Sequence, residues 1–241
     1  MKILVVLISF IAFLLVALSG PLHRFGVINL GTAFTGFKYG VYVGIAALVL
    51  LALVLVVQIV SKRKLITLTS SVTVAIFSAI AIIIPVTMLK QGTSAPPIHD
   101  ISTDLDNPPE FDAVAPLRAD APNPITYAGV ASAEQQRQAY PELKTLTYSQ
   151  SKAELVIAIE QATKNLGWDL VDADVNKGKI EATDTTTWFG FKDDIVIRVN
   201  DQGDKREVDI RSKSRIGASD LGKNAKRIHD FIEELDVVLG E

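Results

Sequence analysis

His99 and Asp100, with Asp104, Asp106, Glu110 and Asp112 close behind, are the residues of this chain best suited by type to move protons or to hold a divalent cation. Their spacing argues against both uses. They lack the fixed ligand positions of a calcium-binding loop, and they lie in a proline-rich stretch with no helix or sheet of its own to hold them rigid. A structural role remains, in which His99 or Asp100 bonds to backbone where this stretch docks on a folded domain. The other histidines do not join the cluster: His23 stands in an apolar region and His229 among charges on a predicted helix.

A second cluster, Arg198, Arg211, Lys213 and Arg215, precedes Gly217 and a predicted last helix. Arginines beside a helix N-terminus can grip a phosphate or a carboxylate. Strand alternation, however, puts Arg198 and Arg211 on the same sheet face as Asp194, Asp209 and Glu181. Cross-strand ion pairs account for that mixture without a ligand; an anionic ligand or lipid headgroup is the alternative. Trp188-Phe189-Gly190-Phe191 reads as an aromatic plug closing a sheet end against a helix, with an exposed lip or a membrane-facing loop as the rival use. Phosphate-binding glycine loops, nucleophile and base pairs and zinc spacings are absent, so no catalytic, cofactor-binding or metal-ligating residue is assigned. With no cysteine, disulfide and thiolate chemistry are excluded too.

The elements that must position these residues begin near Pro141. Ser151 to Glu154 forms a capping box, after which Leu155, Ile159, Ala162 and Leu166 mark one helical face that Gly167 ends. Strands follow around 168–173, 179–185, 194–199 and 206–212, with a further one possible at 143–148, separated by Asn176-Lys177-Gly178 and by Asn200 to Gly203. Short connections predict antiparallel pairing. Ile195, Ile197, Val199, Val208 and Ile210 supply an apolar face, and the charged residues between them a polar one. A last helix capped by Ser219 presents Leu221, Ala225, Ile228, Ile232 and Leu235. The predicted domain at 141–241 is therefore α+β, an antiparallel sheet with two helices on one face.

Upstream, 91–140 holds seven of the ten prolines and reads as an extended arm or linker, pinned by Ile98, Ile101, Leu105 and Phe111. Before it, residues 1–90 carry seven basic side chains and none of the 27 acidic ones. Apolar stretches at about 3–18, 41–60 and 65–89 predict a membrane α-helical segment, since a span needs about 20 such residues. The first is short and ends Ala17-Leu18-Ser19-Gly20, like a signal-peptidase site, so a retained helix and a cleaved signal both stand. Gly20 to Gly40 reads either as an interfacial helix on the outer leaflet, with Tyr39 and Tyr42 in an aromatic belt, or as a buried loop. Lys2 and the Lys62-Arg63-Lys64 loop predict a cytoplasmic N-terminus and a C-terminal domain outside the cytoplasm, in the inner (plasma) membrane with a periplasmic domain.

The segments Pro96-Pro97-Ile98-His99-Asp100-Ile101-Ser102-Thr103-Asp104, Glu181-Ala182-Thr183, Trp188 to Asp194, Asp209 to Arg215, Gly217 and Asp220 to Ala225 together resemble the domain-of-unknown-function family numbered fourteen ninety-nine, over roughly Pro96 to Leu235. The apolar segment is similar to the leader on many bacterial members. The resemblance implies no reaction and no catalytic residues. The expected function is a membrane-anchored, exported binding or interaction domain of unknown ligand in the cell envelope, with His99, Asp100, Arg198, Arg211 and Arg215 as its candidate interaction surface. Expected partners are the lipid bilayer and an envelope protein or anionic lipid. No cofactor is expected, and a balance of 17 basic against 27 acidic residues after Lys90 speaks against nucleic acid. The alternatives are an accessory subunit of a membrane complex, and a hydrolase or lipid-modifying enzyme using His99 with Asp100.

Overall fold

The computed structural model describes residues 1–240, which form two compact units. The first comprises Met1–Lys90 together with Thr187–Gly190, the second Gln91–Thr186 and the chain from Phe191 onward.

In the first unit, α1 (Lys2–Ala17) leads through one residue into the short α2 (Ser19–Arg24), and α3 (Leu30–Ser61) and α4 (Leu68–Ser94) follow. Three helical stretches, Lys2–Arg24, Leu30–Ser61 and Leu68–Ser94, are long and apolar enough to cross a membrane. The expected short first span thus gains a further turn or more from α2. Gly20 to Gly40 is not a single helix or loop of its own: its first residues lie in α2 and a turn follows at 25–29. Its second half, from Leu30, is the beginning of α3, because Asn29 caps that helix by accepting from the Thr32 amide at 2.8 Å and nothing breaks it before Ser61. Small residues let the helices approach: a Cβ on Gly40 would come to 2.5 Å from Val16 Cγ2 of α1, and one on Gly44 to 3.4 Å from the Ala81 side chain of α4. Phe77 of α4 closes on Phe10 and Phe13 at 5.5 and 5.2 Å between ring centroids.

The second unit is an α+β domain built on six antiparallel strands. β1 (Asp100–Ser102), β2 (Leu146–Tyr148), β3 (Asp169–Asp174), β4 (Lys179–Thr185), β5 (Lys192–Gln202) and β6 (Lys205–Ser214) run in the order β1-β6-β5-β4-β3, with β2 also paired to β6. One face carries Ile195, Ile197, Val199, Val208 and Ile210, all fully buried. Over it lie α6 (Lys152–Asn165), contributing Leu155, Ile159 and Ala162, and α7 (Lys223–Leu239), contributing Ile228, Phe231 and Leu235. Trp168 stacks on Phe231 at 5.7 Å. The Ser151 capping box is formed on both sides. The cap of α7 differs from expectation. Leu221 and Gly222 both adopt positive φ, so the helix starts later, and Asp220 rather than Ser219 accepts from the Asn224 amide. The proline-rich stretch also holds more regular structure than expected, namely a 3-10 turn at Pro116–Arg118 and α5 (Val130–Ala139). Ile98, Ile101 and Phe111 are buried as anchors, while Leu105 is half-buried.

Candidate functional site

β4, β5 and β6 bring their polar side chains into register on the face opposite the helices. Arg198 pairs with Asp209, Val196 with Arg211, Asp194 with Lys213 and with Thr183, and Glu181 with Val196. The chain from β1 to α5 then crosses this face as a strap, and its polar atoms meet those of the sheet.

Asp100 is the main fastening. β1 pairs Asp100 with Lys213, and its buried carboxylate accepts from Arg211 Nε at 2.8 Å and Nη2 at 3.0 Å, from Lys213 Nζ at 2.7 Å and from the Ala128 amide at 3.0 Å. Arg211 also donates to the strap carbonyls of Pro109 and Ile125, and Lys213 to that of Thr126. The Arg211 guanidinium lies over the rings of Phe111 and Tyr127, 4.9 and 5.3 Å from their centroids. Burial pushes the Lys213 ammonium below its ordinary range although Asp100 opposes the shift.

Asp194 fastens the next stretch. It accepts from Arg118 at 3.0 Å, from two nitrogens of Arg215 at 2.9 and 2.7 Å and from Thr183 at 2.8 Å. Glu181 reaches across the face and accepts from the Asp112 and Val114 amides at 2.7 and 2.9 Å. Arg198 bridges Asp104 of the strap and Asp209 of the sheet, at 2.9 and 2.8 Å. Burial pushes the Asp104 carboxyl up, but the amides of Asn107 and Asp106 and the Arg198 guanidinium outweigh it and hold the group below the usual carboxylate range.

The five residues singled out from sequence therefore have different environments. Asp100 and Arg211 are buried partners, Arg215 and Arg198 are partly covered, and His99 is turned elsewhere. Its Nδ1 lies 3.4 Å from the Ala218 carbonyl oxygen, and its own carbonyl accepts from Ser214 and Asn224. His99 and Asp100 do not face one another as an acid–base pair, since the carboxylate is taken by Arg211 and Lys213. Among the described residues, no group of three or more histidine or acidic side chains is placed to hold a metal ion.

A second polar group, which the sequence did not reveal, lies at the end of the helix-covered face. Arg227 of α7 donates to Asp184 at 2.7 and 2.9 Å and to Asp193 at 2.6 Å, and with Asn224 it also binds Ser212. Burial works against the charge, but Asp193 and Asp184 raise the Arg227 pKa above its ordinary value. Asn224 and Arg227 stand one turn apart on an otherwise apolar helix face; that interruption is the signal in the sequence. Arg118 and Tyr127 gave no signal, because irregular backbone brings them in. A shallow groove of about 420 Å³ is lined by Ser94, Ala95, Pro96, Gln135, Gln138 and Ala139, with one hydroxyl, two amides and no titratable side chain.

These features define a strapped α+β domain preceded by three apolar helices compatible with membrane anchoring. The family of proteins of unknown function DUF1499 matches residues 100–235, more than half of the chain, and this protein belongs to that family. The matched region starts at Asp100 and takes in both the strap and the sheet beneath it. No curated protein matches the chain.

Proposed function

We propose that this protein is a membrane-anchored binding or interaction protein of the cell envelope rather than an enzyme. Its N-terminus and the Lys62-Arg63-Lys64 loop lie in the cytoplasm, and its α+β domain lies outside. The observation that carries this reading is the commitment of Asp100, the one carboxylate adjacent to a histidine in the strap, to Arg211, Lys213 and the Ala128 amide. Both Asp100 carboxylate oxygens are engaged by these donors, and His99 is directed instead at the Ala218 carbonyl, so the two side chains are not placed to work together on a substrate. The same ion pairs make the strap a firm outer surface with exposed acidic residues, including Glu110 and Asp120. In this reading Arg198, Arg211 and Arg215 hold that surface from beneath, His99 lies at its edge, and an envelope protein contacts the exposed rim.

The test compares crosslinked partners of the intact protein in membranes with those of a Glu110→Lys, Asp120→Lys variant. Loss of specific partners without a change in unfolding midpoint is expected. An unchanged set of partners would sink the proposal, as would an ester or lipid hydrolysis activity of the purified protein that disappears in His99→Ala.

A further inference from the structure

The helical unit contains four residues from far along the chain, Thr187–Gly190, the middle of the connection between β4 and β5. Their fit with the helices is chemical as well as steric. α1 ends at Ala17, and the residue whose amide would ordinarily reach the Ala17 carbonyl, four positions on, is Pro21, which has no N–H. The indole of Trp188 supplies the missing donor, with Nε1 3.3 Å from that oxygen. Gly20 lies directly beneath the indole, where any Cβ would overlap the ring. Phe37 of α3 packs on both Trp188 and Phe189 at 5.5 Å, Phe34 lies 6.0 Å from Phe189, and the His23 ring lies 6.1 Å from it. Arg24 donates to the Thr187 carbonyl, and Gly190, at φ 69°, brings its backbone against the Arg24 side chain.

We infer that the turn Ala17 to Pro21, with Phe34 and Phe37, is a socket for an aromatic hairpin tip with an N–H donor, so that the helices bind Trp188 and Phe189 specifically as well as spanning a membrane. A generic anchor needs neither a glycine under an indole nor a carbonyl freed by proline. The residues that read in sequence as a signal-peptidase site are the floor of this socket, so the inference requires the first helix to be retained. It does not depend on which partner the domain binds.

The absence of cysteine from the chain gives a clean test. A Cβ at Gly190 would lie 3.2 Å from Arg24 Cβ, close to disulfide range, so Arg24→Cys with Gly190→Cys in the full chain should crosslink on oxidation in native membranes. Peptide mass spectrometry would read the bond. Adding Gly20→Val or Trp188→Ala to the pair is expected to abolish the crosslink, whereas Gly31→Ala is expected to leave it intact. Because a cysteine at Gly190 strains a positive φ, a second reading uses Trp168→Phe, which leaves Trp188 the single indole. Its emission should move to the red and become open to a water-soluble quencher in Gly20→Val but not in Gly31→Ala. No crosslink together with a water-exposed Trp188 in the parent would overturn the inference. So would indifference of both signals to Gly20→Val, or a mature chain beginning after Gly20.

Discussion

At Asp100 one buried carboxylate serves two buried cations, Arg211 and Lys213, whose side chains are 2% and 1% exposed. Removing the carboxylate strands both charges, and breaking a buried pair in this way costs about 3–5 kcal/mol. Asp100→Ala is therefore expected to lower stability by that amount in urea unfolding of the detergent-solubilised protein. Arg198→Ala should cost less, about 1–2 kcal/mol, because its side chain is 19% exposed and Thr103 and Thr145 still donate to Asp209. Equal effects would contradict the placement of Asp100 at the centre of the fastening. Tyr127 differs again, since its buried hydroxyl has no hydrogen-bond partner while burial, and then Asp100, pushes its pKa up to about 12. Tyr127→Phe should be neutral or stabilising by up to about 1 kcal/mol, because it removes an unsatisfied polar group and keeps the ring over Arg211. A folded-state pKa above the unfolded value of 10.0 means that the phenol's contribution is complete below pH 10 and lost as pH rises towards 12. Wild type should thus lose stability relative to Tyr127→Phe across that window, and parallel stability curves for the two proteins would refute the assignment.

Among the elements, α6 is fixed by a local cap, the Ser151 capping box. Ser151 accepts from the Glu154 amide while Glu154 accepts from the Ser151 amide, so Ser151→Ala should cost about 1 kcal/mol in the same unfolding measurement. Gly178 carries a stronger constraint. Its φ is 63° and a Cβ there would collide with the Val199 carbonyl oxygen, so Gly178→Ala should cost more than the Ser151 change and weaken the β3–β4 turn. Both features were legible in sequence, as were the alternating faces of β5 and β6, because capping, turn chemistry and a period of two act within a few residues. The late start of α7 was not, since it depends on the consecutive positive φ of Leu221 and Gly222 and on Asp220 reaching the Gly222 and Asn224 amides. The strap was legible only in part. Its apolar anchors Ile98, Ile101 and Phe111 stood out by type, but its polar fastenings join residues such as Arg118 and Asp194 that are 76 positions apart. No local period encodes such pairs. For the same reason the sequence shows the cross-strand pairing of Arg198 with Asp209 but not the strap partners of Arg198 and Arg211, Asp104 and Asp100.

For the whole molecule, the distribution of charge poses the question of orientation. No carboxylate occurs before Lys90, so the basic residues alone decide which side each loop takes. With the N-terminus in the cytoplasm and three spans, Lys2, Lys62, Arg63 and Lys64 fall inside and Arg24, Lys38 and Lys90 outside. The margin is a single charge, but the inside set is concentrated in the tight loop between α3 and α4, where Gln58 accepts from the Leu65 and Ile66 amides and holds the turn compact. A reporter that works only outside the cytoplasm, fused after Glu241, should therefore be active. Replacing Lys62, Arg63 and Lys64 by glutamine leaves Lys2 as the sole inside charge against three outside, so a substantial fraction of chains should invert and the reporter should lose activity in proportion. Restoring three arginines at the same positions should restore it. Activity of a cytoplasm-only reporter on the unmodified chain would overturn the proposed orientation, and with it the proposed envelope location of the strapped domain. Full activity of the export reporter after neutralisation would instead mean that the long acidic domain, rather than the loop, determines the direction of insertion.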